Sequence, residues 1–164
     1  MKSWRLYVVS LICRLLPETR CFGMKRALYC WCGAKIGKNV RICSSVTILG
    51  IGHLEIGEDV WIGHQTFLST ADLIKIGSAV DIAGSVYIGT GTHQIDTVGA
   101  HSAGIGYHAP IVLEDGVWIG ACTTILPGVV IGRKSVIGAG SVVSKSIPER
   151  SVAVGVPAKV MRSL

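Results

Sequence analysis

The sequence predicts an all-β solenoid, in which very short strands stack coil upon coil around one shared core. Three features predict it: an aliphatic residue returns every six positions, Gly follows it in about half of the units, and small or β-branched residues fill the fifth place. The ladder runs through Ile36, Ile42, Ile48, Ile56, Ile62, Leu68, Ile76, Ile82 and Ile88. It resumes with Leu113, Ile119, Ile125, Ile131, Ile137 and Val143, making 15 units in all. Gly stands next in 8 of them (Gly37, Gly57, Gly63, Gly77, Gly89, Gly120, Gly132 and Gly138), and 12 carry Val, Thr or Ser at the fifth place.

Residues two apart on an extended strand face the same way. Val40-Arg41-Ile42 and Val60-Trp61-Ile62 therefore each point two apolar groups inward and one residue outward. The Gly that follows is expected to turn the corner, because glycine tolerates φ > 0 without steric cost. One such unit cannot bury its apolar residues alone, so the units must stack and share a continuous core. A sandwich with glycine-rich turns would space its strands about 8–12 residues apart, and six is too short for that.

The irregular steps locate the corners. Unit openings advance by 6, 6, 8, 6, 6, 8, 6, 6 and 25, then five times by 6. Every irregular step follows the third unit of a triplet, which predicts a three-cornered coil with all insertions at one corner. The two small insertions lie near His53-Leu54 and Asp72-Leu73, and the large one is an excursion over 92–110. Long loops inside compact domains are usually functional or disordered. This one is anchored at both ends, which favours function.

The formal net charge of +6 is unevenly placed. Residues 1–41 hold nine Lys and Arg against the single acid Glu18, giving +8, while the remainder holds seven bases and nine acids, giving −2. The solenoid itself is thus slightly acidic, and no nucleic-acid partner is expected. Residues 1–33 read as a helical N-terminal cap before a solenoid domain over 34–164. The first helix is expected over 3–16, stopped by Pro17, with a second short helix running up to Cys32-Gly33. Around the first, Ser3, Ser10 and Arg14 form a polar strip, and Trp4, Val8, Leu11, Ile12 and Leu15 form a wide apolar face. The run is too short for a membrane span and lacks a small-residue cleavage site. Residues 1–32 are read either as the cap that a solenoid end requires or as a basic amphipathic segment touching anionic lipid.

The six cysteines show no C-x-x-C pair and no ligand-like spacing with histidine. They are expected to be reduced, buried, small apolar residues of a cytoplasmic protein, with no structural metal. Chemistry is expected in the excursion, which opens Gly91-Thr92-His93-Gln94-Ile95-Asp96 and holds His93, His101 and His108, three of the five histidines. A neutral histidine is the common general base near pH 7, and His93 stands at the mouth of the one long loop.

At Val117-Trp118-Ile119-Gly120-Ala121, Ile125-Leu126-Pro127-Gly128-Val129, Ile137-Gly138-Ala139-Gly140-Ser141-Val142-Val143 and Val154-Gly155-Val156-Pro157-Ala158-Lys159-Val160 the chain resembles the hexapeptide-repeat acyltransferases. It is similar particularly to the galactoside, maltose and exopolysaccharide O-acetyltransferases, over about residues 34–164. The resemblance implies a left-handed parallel β-helix, although parallel crossovers are normally right-handed. It also implies a homotrimer with acetyl-CoA between adjacent subunits and a carbohydrate acceptor.

Carried over by motif, His93 matches the catalytic histidine, the base for direct attack of an acceptor hydroxyl on the thioester. Asp96 is expected either to orient the imidazole or touch the sugar, or to be a solvated loop acid. Trp118 matches a tryptophan near the active corner, or else packs a subunit interface. For CoA the matching positions are Ala121, Ala139, Ser144, Lys145, Lys159 and Arg162, with the three cations suited to nucleotide phosphates. Two departures set this chain apart. Ala121 replaces a serine of the galactoside enzymes, so oxyanion support there must come from a backbone N–H. On the acceptor side, the sugar-binding acid falls at Ala71 and the substrate asparagine at Gly63, next to His64, so a different pocket is expected, with Asp72 as a candidate contact.

Other functions fit the same fold. N-acetylation of a nucleotide-linked amino sugar uses the same donor. A γ-type carbonic anhydrase needs three histidines around zinc, and the loop histidines here are eight and seven apart. A non-catalytic β-helical scaffold would not need His93, Asp96 and the terminal cations together.

Overall fold

The computed structural model describes residues 1–164. The chain winds as a left-handed parallel β-helix whose coils visit three sheets in turn, so the body is a three-sided prism. The first face stacks Lys35–Ile36, Leu54–Ile56, Ile74–Ile76, Ile111–Leu113 and Val130–Ile131. The second stacks Arg41–Ile42, Trp61–Ile62, Asp81–Ile82, Trp118–Ile119 and Val136–Ile137, and ends in the antiparallel pair Ser151–Gly155 and Ala158–Ser163. The third stacks Thr47–Leu49, Phe67–Ser69, Tyr87–Gly89, Thr124–Ile125 and Val142–Val143.

Parallel pairing puts like on like. Ile42, Ile62, Ile82, Ile119, Ile137 and Ala153 are register partners up the second face. Ile36, Ile56, Ile76, Leu113 and Ile131 do the same on the first. These side chains are buried in one continuous core, and each fully buried Ile or Leu contributes about 1.5–3 kcal/mol. At the fifth places, buried hydroxyls bond at once to nearby carbonyls: Thr123 Oγ1 to Gly120 O at 2.8 Å, Ser135 Oγ to Pro148 O at 2.7 Å and Ser141 Oγ to Gly138 O at 2.6 Å. Their burial is therefore compensated.

The expected role of the unit-opening glycines is corrected by the backbone. None of them has positive φ; the left-handed residue is the fourth of the unit, as at Asn39, Asp59, Gln65, Ala79, Ser85, Cys122 and Lys134. Glycine at the second place answers instead to crowding between coils. A Cβ on Gly63 would lie 2.6 Å from the carbonyl carbon of Ala83 in the next coil. The cysteines also depart from expectation. Cys13, Cys32 and Cys43 are buried, but Cys21 and Cys122 are exposed.

Two helices, α1 (Ser3–Arg14) and α2 (Phe22–Trp31), cross the first coil. In that coil alternate residues bond to the second coil, as from Gly37 N–H to Ile56 O and from Arg41 N–H to Val60 O, while the carbonyls of Ile36 and Ile42 face the open end. An open strand edge of this kind needs donors, and the basic N-terminal segment supplies them. Arg26 Nε donates to Ile36 O and Gly37 O. Lys25, fully buried, donates from Nζ to Pro17 O, Glu18 O and Ile42 O at 3.2, 2.9 and 3.2 Å. The terminal ammonium of Met1 reaches Ile51 O and Gly52 O, both at 2.9 Å. The face of α1 that packs inward is Leu6, Val9 and Cys13, not the wide apolar face evident in the sequence.

Candidate active site

All insertions do fall on one edge, between the third and first faces, at 50–53, 70–73 and 90–110. The large excursion is not irregular. It forms an antiparallel hairpin of Gly91–Ile95 with Ala103–His108, pairing Gly91 with His108, Thr92 with Tyr107 and His93 with Gly106. Opposed residues share a face in such a pair, so His93 and His108 project from the same side of the hairpin.

The hairpin root is clamped to the corner below it. Thr90 Oγ1 accepts the N–H groups of Ala71 and Asp72 at 2.8 and 2.9 Å, and Ala109 N–H closes onto Thr90 O at 2.9 Å. His108 Nδ1 lies 2.8 Å from Asp72 Oδ2, while Asp72 Oδ1 accepts Leu73 N–H at 2.7 Å. The His108 hydrogen bond, and after it that of Leu73, hold the Asp72 carboxyl below its ordinary range. An acid at a fifth place thus has a partner 36 residues away.

His93 is exposed on the first hairpin strand, over the glycine opposite it. Its Nδ1 sits 2.9 Å from Gly104 O. A carbonyl oxygen only accepts, so Nδ1 carries the hydrogen, and in the neutral ring Nε2 keeps the lone pair. That is the state a general base requires. Asp96 does not orient this ring. Its Oδ1 accepts the N–H groups of Val98 and Gly99 at 2.8 and 2.9 Å, which turns the hairpin tip. The bond from Gly99, then that from Val98, holds its carboxyl low. A hollow of about 250 Å³ beside it is lined by Gln94, Ile95, Asp96, Thr97, Gly104 and Ile105. The largest hollow, about 480 Å³, lies elsewhere, against the first face around Lys35, Glu55 and Lys75.

The remaining candidates lie apart from His93. Trp118 stands outward on the second face, 55% exposed, between Asp81 and Val136. Lys159 and Arg162 are exposed on the last strand of that face. Ala121 and Ala139 turn the edge between the second and third faces one coil apart, linked by Gly140 N–H to Ala121 O at 2.8 Å. Neither alanine N–H donates within the protein. Ser144 and Lys145 are exposed on the insertion edge, beyond His93 along the prism. In a three-sided prism the insertion edge lies across from the second face. One protomer therefore brings Asp72, His108 and His93 together, but it separates them from Trp118, Lys159 and Arg162.

Reading the sequence missed Gly104 altogether, and it singled out His108 as a loop histidine without its role. A backbone carbonyl leaves no trace in residue identity, and the Asp72 partner is visible only once the hairpin is folded. The irregular acid at a fifth place was the one available signal.

Comparison with known proteins sets this geometry in a family. A family model described as bacterial transferase hexapeptide (six repeats) matches residues 110–145. The chain is 39% identical over 134 residues to WcaF of Escherichia coli K12, which carries the name colanic acid biosynthesis acetyltransferase, covering 79% of this chain and 69% of that protein. It is 34% identical over 131 residues to the galactoside O-acetyltransferase of E. coli K12, covering 80% of this chain and 64% of the relative. Matches of higher identity are shorter, and there the chain spans only 47% and 57% of the relative's length. Among solved structures, a hexapeptide-repeat acetyltransferase of Vibrio cholerae O1 biovar eltor complexed with acetyl coenzyme A superposes with a TM-score of 0.78. Its identity is 26%, over 99% of this chain and 86% of that one. The chain belongs to the hexapeptide-repeat acyltransferase family.

Proposed function

We propose that this protein is an acetyl-CoA-dependent O-acetyltransferase acting on a hydroxyl of a sugar or polysaccharide precursor. The observation that carries the reading is the His93 ring held by Gly104 O, with Nε2 free to take a proton. The acceptor hydroxyl gives its proton to Nε2 as its oxygen attacks the thioester carbonyl. Collapse of the tetrahedral intermediate expels the CoA thiolate, which recovers the proton from the imidazolium, so no acyl-enzyme forms. The sugar acceptor and the donor rest on the names of the relatives and on the acetyl-CoA-bound structure of the Vibrio cholerae protein.

Donor binding is assigned to Ala121, Ala139, Ser144, Lys145, Lys159 and Arg162. The unused N–H groups of the two alanines suit the pantetheine amides, and the three cations form no ion pair, which suits phosphates. Trp118 would flank the acceptor. A homotrimer joins the two halves, setting the insertion edge of one protomer against the second face of its neighbour. This assembly explains why residues of one reaction lie on opposite sides of one chain.

Thiol release from acetyl-CoA across a panel of sugars, amino sugars and serine tests the proposal. Turnover with sugar hydroxyls that is lost in His93→Ala supports it. Transfer only to an amino sugar would convert it to N-acetylation, and wild-type turnover by His93→Ala would refute the mechanism.

A further inference from the structure

We propose that the outward face of α1 is a docking surface for an anionic lipid bilayer, into whose headgroup boundary it inserts Trp4, Tyr7, Leu11 and Leu15. The helix is apolar on two opposed sides. Leu6, Val9 and Cys13 pack on the prism, while Trp4, Tyr7, Val8, Leu11, Ile12 and Leu15 recur at helical spacing on the side away from it and are all exposed. Trp4 is 61%, Tyr7 66% and Leu15 87% exposed. The inward stripe already serves as the cap, so packing on the solenoid does not account for the outward one.

The ridge is rigid, and the segment that carries it is positively charged. Arg5 lies over Trp31 at 4.6 Å and Trp4 at 5.4 Å and donates to Trp31 O, and the two indoles meet edge to face at 5.6 Å. These contacts hold an exposed aromatic end in place. Lys2, Arg14 and Arg20 take part in no ion pair. No acid precedes Glu18, whose carboxylate is turned onto Ser45.

The occupant must therefore be apolar at its centre and negative around it. An isologous contact between two copies would set these cations against each other with no acid between them. A convex ridge of twelve residues cannot span a bilayer, and no helix here is long and apolar enough to cross one. Such a ridge lies in the interface plane, where apolar insertion and anionic headgroups act together.

Flotation of the full-length protein with phosphatidylcholine vesicles, with and without phosphatidylglycerol, tests the inference. The wild type is expected to float only with phosphatidylglycerol and to be released by high salt. Leu11→Glu combined with Leu15→Glu should weaken binding by about tenfold or more, with melting temperature and solution molar mass unchanged. A wild type left in the soluble fraction would overturn the inference, as would Glu variants that bind equally well. A double variant that loses molar mass would overturn it too, by assigning the ridge to a second copy.

Discussion

Asp72 and His108, 36 residues apart in sequence, meet through a 2.8 Å contact that ties the root of the hairpin to the corner beneath it. The bond does mechanical work on the site. His108 projects from the same hairpin face as His93, so whatever fixes the root also fixes the height and tilt of the proposed base.

Breaking this clamp should harm the hairpin more than the prism. Asp72→Asn is expected to speed amide exchange over 91–108 while leaving the melting temperature nearly unchanged, because a polar contact this exposed contributes little to global stability. It should also lower turnover more than it raises KM for acetyl-CoA. Unchanged exchange in the hairpin would contradict the clamp.

The pH dependence of the clamp follows from the lowered Asp72 carboxyl. A carboxyl whose folded value lies below its unfolded one binds fewer protons when folded. Its contribution is therefore complete above about pH 4 and is lost as pH falls through the lowered value. Hairpin protection, corrected for intrinsic exchange, should hold from neutral pH down to that range and drop below it. A loss near neutral pH would contradict this.

His93→Ala should reduce turnover by about 10²–10⁴-fold, the usual worth of a positioned general base, with acetyl-CoA affinity retained. Calorimetric titration of the variant with CoA separates the two effects.

Core truncation tests the ladder. Ile119 is fully buried with register partners Ile82 and Ile137, so Ile119→Ala should cost about 2–5 kcal/mol by denaturant melting. Gly63→Ala should also destabilise, through collision with the Ala83 backbone and not through φ. A neutral result at Gly63 would show that the two coils shift apart far enough to admit a Cβ.

Lys25→Met should lower stability although it removes a buried charge. It strips the donor from Ile42 O at the prism end, and that stranded carbonyl costs about 1–3 kcal/mol, whereas Pro17 O and Glu18 O keep the hydroxyl and N–H of Ser44. A melting temperature equal to wild type would show that water replaces the ammonium.

The three faces and the single insertion edge were legible because a stacked coil repeats the same contact at fixed spacing, so Ile62, Ile82 and Ile119 announce one another. The candidate base was legible at His93 because the excursion interrupts that period. The glycine conformations were not, since crowding between coils depends on atoms such as Ala83 C that are distant in sequence. Nor was the outward face of α1, because a wide apolar stripe looks the same whether it meets a core or solvent.

The sequence by itself determined the solenoid, its corners and the place where the chain leaves them, because periodic burial is a local, additive pattern. Tertiary structure alone decided that Gly104 O sets the His93 tautomer and that Asp72 clamps His108. It alone set Trp118 across the prism from them and turned Leu11 and Leu15 outward. These are single contacts between distant segments, and nothing periodic in the chain encodes which partner a lone group will find.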